Sequence, residues 1–164
     1  MYTYAVPQVD RVSFVSLVQT DVLHAEVVHT SQLRARVEQC LHSREPLAIV
    51  QAVSEYLPYL LGLYDCVLRD TILLRDDVHL TWHSMLVSSK FRLHGLLSEV
   101  CLMHMLYASS LRAEAATIVE ALGAYELGAH DRKACDDRLR VAIDLLCRAS
   151  GVCEYVATQV FPTY

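Results

Sequence analysis

Glycine and proline are scarce in this chain, five and four residues among 164. An all-β sandwich needs turn residues at every strand end, so this scarcity argues against one and for long helices. Charge is scarce as well: 20% of residues are charged, with a net charge of −5. That balance supplies no general attraction for nucleic acid or anionic lipid. No uninterrupted apolar run reaches the ~18 to 20 residues of a membrane span, so no transmembrane segment is expected, at most peripheral membrane association. The start, "MYTYAVPQVDRV", lacks a basic region followed by an apolar one, and no secretory signal is expected there. Tight cysteine pairs are missing too. The nearest two, Cys147 and Cys153, are six apart on a helical stretch and point in different directions. The six cysteines read as small hydrophobes of a reducing compartment, which places the protein in the cytoplasm.

What is present is apolar: 54% of the residues are hydrophobic. The length fits one domain, 1–164, with a sizeable core. Pro7 interrupts an extended opening segment. Phe14, Leu17, Val18, Val22 and Leu23 then follow helical spacing across residues 12–28, and Thr30 or Ser31 offers a cap for a second helix. Pro46 marks the first turn of a third helix reaching about Leu73, which Pro58 should kink. In "DDVHLTWHS" the apolar Val78, Leu80 and Trp82 alternate with polar residues, the pattern of a half-buried strand paired with the opening segment. Two long helices follow, near 87–126 and 132–160, joined by a turn with Gly128 and Asp131, and Pro162 stops the second. The fold expected is mainly α: long antiparallel helices in a helical-solenoid (TPR-like) arrangement with a small N-terminal β-sheet.

The first long helix is apolar almost all round through "LLSEVCLMHMLYASSL" and should be central and buried. The last has an apolar face at Leu139, Ala142, Ile143, Leu146, Ala149, Cys153 and Val156, and carries Val141, Leu145, Val152 and Tyr155 elsewhere. A terminal helix apolar on two sides expects another layer, from more chain or from a partner.

Catalytic and metal chemistry find little support. His79 and His83 share a strand face but stand about 13 Å apart at the strand rise, too far to hold one ion. His104 reads as a core histidine, and Asp76–Asp77 as a solvated turn. Arg34/Arg36 and Arg132/Lys133 read as solvated helix faces. No Gly-rich phosphate loop follows a strand, and no nucleophile signature surrounds any Cys or His. No catalytic residue, metal or cofactor is expected. Asp136 and Arg140, acid first and four apart, form a candidate pair on the last helix.

"LRVAIDLLCRASGVCEYVATQV" resembles a helix of the BRO domain family, the ALIX-like endosomal scaffolds. Arg140, the small-residue step Ala149–Ser150–Gly151, Glu154 and Tyr155 fill that helix's pattern. In the same order, "LLGLYDCV" with Tyr64 and Asp65 is similar to the family's tyrosine-rich helix end. "HLTWHS" is similar to its strand motif through Trp82. "LSEVCLMHMLYASSL", with Glu99, is similar to its buried helix, although Met105 and Leu106 stand where relatives carry Phe and Asn. The small step would let the preceding helix approach closely.

The resemblance implies a non-enzymatic protein–protein interaction scaffold, here the N-terminal half of a longer domain. It would dock an amphipathic helix of ESCRT-III type in endosomal sorting and protein transport, with endosome association. Asp136 and Arg140 fall on the family's contact positions for that helix. A second reading keeps the scaffold but places it in a cytoskeletal, kinetochore or signalling complex without ESCRT binding. A third is a Cys/His-dependent enzyme. Self-association through the last helix is a further expectation.

Overall fold

In the computed structural model the described residues are 8–19, 23–75, 78–83, 90–125 and 132–160. The expected Gly128 and Asp131 turn, the Asp76–Asp77 pair and Pro162 lie outside them. The chain divides into two compact units, Met1–Met103 and His104–Tyr164.

The first unit begins with strand β1 (Gln8–Val9), a short helix α1 (Phe14–Leu17) and strand β2 (Val18–Gln19). The single helix expected over 12–28 is therefore not formed. Its valines turn the chain extended at Val18, whose partner is Leu74 of β3 (Leu73–Leu74). β-branched side chains prefer such extended backbone. Helix α2 (His24–Ser43) runs straight through Thr30 and Ser31, so neither is a cap. Their hydroxyls donate back to the carbonyls of Glu26 and Val27, one turn earlier. The Ser31 hydroxyl also accepts the Phe14 N–H at 3.0 Å, tying α1 to α2. Arg44 then ends α2 in the left-handed conformation, with φ 58°.

Helix α3 (Pro46–Leu68) starts at its proline as expected, but ends five residues before Leu73. Leu73 is instead in strand β3. By length and composition α3 is the one described helix apolar enough to cross a membrane. Eight of its side chains lie in the core of the first unit, which accounts for that apolarity. Pro58 sits within the helix on its exposed side.

Strand β4 (His79–His83) pairs antiparallel with β1 through Gln8↔His83 and Val9↔Trp82, the pairing expected. An additional strand, β5 (Lys90–His94), pairs with its other edge, placing Trp82 opposite Phe91. Helix α4 (Leu96–Tyr125) accordingly starts at 96 and not at 87. Gly95 joins β5 to α4 at φ 81°, a conformation side chains disfavour, and its N–H reaches the Val78 carbonyl at 2.9 Å.

The second unit holds the rest of α4 and helix α5 (Arg132–Tyr155), which passes into a π-helical turn at Val156–Val160. The two helices run antiparallel. The His104 ring lies 5.3 Å from that of Tyr155, and three residues along α4 the Tyr107 hydroxyl accepts a hydrogen bond from Arg148. The apolar stretch of α4 is buried through Met103, Leu106 and Leu111, while Met105 points out. His104 is buried as expected.

Candidate interaction surface

Two features organise the residues singled out by the sequence. The first is a buried polar cluster in the first unit. The Trp82 indole N–H donates to Glu99 Oε2 at 3.4 Å, so the strand motif and the buried-helix motif meet in space. Arg34 completes the cluster. Its Nε donates to Glu99 Oε1 at 3.1 Å and its Nη1 to the Asp10 carbonyl at 2.7 Å. Arg34 was expected on a solvated face and is instead fully buried. Its place on α2 is the signal: Thr30, Arg34, Val37 and Leu41 form the buried stripe at helical spacing. Arg36, two residues on, does face solvent and pairs with Glu55.

The Tyr56 hydroxyl is buried beside Glu99 without a hydrogen bond of normal geometry. Burial, and then the Glu99 charge, raise its pKa well above the usual tyrosine range, against a smaller opposing pull from Arg34. The arrangement links α2, α3, α4, β4 and the segment after β1. Its side chains, Arg34, Tyr56, Trp82 and Glu99, are all buried.

The second feature is the outer surface of α5. One stripe of this helix, Ala142, Leu145, Ala149 and Val156 in the following turn, is buried. The neighbouring stripe is Leu139, Ile143, Leu146, Ser150 and Cys153, spaced four, three, four and three residues apart. It stands in the open: Leu139 is 42%, Ile143 58% and Leu146 46% exposed, and Ser150 and Cys153 are exposed as well. The face read as one from the sequence is thus split lengthwise. Half is core, and half is a row of apolar side chains with the spacing of a coiled-coil seam. Among the described residues nothing covers this row, which makes it a candidate interaction surface.

Arg140 borders the exposed row. Its ion pair goes to Asp137 at 3.7 Å, one residue from the expected partner Asp136, and both ends are exposed. Asp136 faces solvent. Gly151 is exposed, and among the described residues no atom lies within 4 Å of where a Cβ would sit. The expected close approach of the preceding helix is therefore absent there. Of the remaining motif residues, Tyr64 is half-buried, and exposed Asp65 pairs with Arg69 along α3.

Other chemistry is sparse among the described residues. No three His, Cys, Asp or Glu side chains gather to hold a metal. His79 meets His94 across β4–β5, with ring centroids 4.6 Å apart. The cysteines are all free, in line with their reading as reduced residues outside any disulfide framework, and none is fully buried. Cys147 and Cys153 are exposed, and burial pushes the Cys101 thiol upward. On the first unit an apolar hollow of about 230 Å³ opens between α2 and α3, lined by Leu23, Val27, Tyr59, Leu63 and Ile72 with Glu26 among them.

Comparison with known proteins gives one informative similarity. The chain is 28% identical over 184 aligned positions to the pH-response regulator protein palC of Cryptococcus neoformans, strain B-3501A, covering 97% of this chain. The chain spans 38% of the length of that relative. No family model matches the chain. No solved structure matches it either.

Proposed function

We propose that this protein is a non-enzymatic adaptor of BRO type, working as a protein–protein interaction scaffold in a pH-response pathway. The observation that carries this reading is similarity running along 97% of the chain to a protein named as a pH-response regulator. The order of the four quoted motifs supports it, as does the contact between two of them, Trp82 and Glu99. In this reading the helices of the two units are the opening of a helical solenoid, and the protein works in the cytoplasm at endosomal membranes. The exposed row of α5 docks an amphipathic helix of ESCRT-III type. Apolar anchors supply affinity, and Asp136 and Arg140 at the rim set orientation.

A scaffold in a signalling complex without ESCRT binding is the second reading. The regulator name of the relative favours it.

The test is purification of the full-length tagged protein from its own cells, held at acidic and at alkaline external pH. Adaptor function is expected to appear as a protein partner whose capture changes with pH, and as weaker capture by Arg140→Glu at unchanged melting temperature. ESCRT-III subunits in the captured set support the first reading, and other signalling proteins support the second. Capture of nothing at either pH contradicts both.

A further inference from the structure

The exposed row of α5 is graded by size. Its N-terminal half carries bulky Leu139, Ile143 and Leu146, and its C-terminal half small Ser150 and Cys153. A helix lying against it must be bulky where this one is small, and small where this one is bulky, if the seam is to pack without voids. Helix α5 itself, turned end for end, has that profile.

We propose that the outer face of α5 pairs antiparallel with α5 of a second copy of this chain, about a twofold axis near residue 148. This rests on the reading of α5 as a docking surface, and a second copy held there excludes the ESCRT-III-type helix until the pair opens. The four-three spacing sets the register. Ile143 of each copy faces Cys153 of the other, and Leu146 faces Ser150. A bulky side chain then meets a small one in all four layers.

Charge agrees with this register independently. The residues flanking the row on its open side are Arg140, Cys147 and Glu154, all exposed. In an antiparallel pair these flanks face each other, so Arg140 of each copy meets Glu154 of the other. The register brings the two Cys147 side chains together across the axis. A parallel pair would instead set bulky against bulky and leave the small end hollow. The arrangement is isologous and closes on itself, as a twofold interface must. It also gives the Ala149–Ser150–Gly151 step a role: Ser150 is the small residue over which the second copy's Leu146 fits.

The experiment is sedimentation equilibrium on the purified 164-residue chain, with circular dichroism as a fold control. The wild type is expected at twice the 18.5 kDa of one chain. Leu146→Glu, a position 46% exposed, is expected to be monomeric with unchanged helicity. Arg140→Glu should weaken pairing up to about tenfold, since twofold symmetry breaks two rim pairs at once. Adding Glu154→Arg should restore it. A short bis-maleimide should join two chains through Cys147, and Cys147→Ser should abolish the product. A monomer at about 100 μM overturns the proposal. So does a dimer indifferent to Leu146→Glu, or one that the charge swap does not rescue. Failure here is separable from failure of the adaptor reading. A monomeric chain whose full-length protein still captures a pH-dependent partner overturns self-pairing alone. A dimer that captures nothing overturns the adaptor alone.

Discussion

Glu99 accepts both the Arg34 guanidinium and the Trp82 indole, so its replacement by Ala would strand a buried cation. Breaking one side of a buried ion pair costs about 3–5 kcal/mol. Glu99→Ala is therefore expected to lower the urea midpoint of the first unit sharply. The double variant Arg34→Met with Glu99→Leu should recover most of the loss, because no buried charge is left unpaired. Tyr56 gives a pH dependence of known sign. Its folded pKa is raised above the unfolded value of about 10, so the neutral phenol stabilises the fold below that pH. That stability is lost as pH rises through the folded pKa. Melting curves at increasing alkalinity should show a fall above about pH 10 that Tyr56→Phe reduces. At neutral pH the same variant should be close to neutral in stability, since the hydroxyl makes no hydrogen bond of normal geometry. Trp82 and Glu99 stand out in the sequence as motif residues, and the structure joins them by a hydrogen bond. Arg34 could not be read by charge alone, because two arginines two residues apart look like one solvated patch. Only the helical phase of Thr30, Val37 and Leu41 separates the buried Arg34 from the exposed Arg36.

Helices announced by periodicity and proline at their first turn were legible. α3 begins at Pro46, and α5 occupies most of the expected 132–160. Boundaries failed where short strands interrupt. "KFRLH" alternates polar and apolar residues, the same signal that identified β4, but its nearness to a strongly apolar helix absorbed it into that helix. The chain reverses between strand and helix at Gly95, where φ is 81°. Gly95→Ala should cost about 1–2 kcal/mol, read from the urea transition, because L side chains resist that region. Gly151 is the opposite case. It sits within α5 with open space around it. Gly151→Ala should add up to about 1 kcal/mol of stability and leave self-association unchanged. A loss of stability would show that something approaches Gly151 closely after all.

Across the whole chain the similarity to palC reaches 97% of the residues but only 38% of the relative. The surplus of apolar surface on the last helix was legible from composition, since Leu139, Ile143 and Leu146 add an apolar row beside the one that packs inward. Which row packs inward was not legible, because the bulkier and more hydrophobic row is the outer one, while the inner row carries the small Ala142 and Ala149 beside Leu145. Both the adaptor reading and the self-pairing of α5 use that outer row as a docking surface. Its most direct test compares wild type and Ile143→Glu as the tagged full-length protein, isolated from its own cells under native conditions and weighed as intact complexes. Position 143 is 58% exposed, so the variant should fold normally. The expected result is a wild-type complex heavier than the single chain, and a variant stripped of that added mass. Identical complexes from both would show that the exposed row of α5 docks nothing.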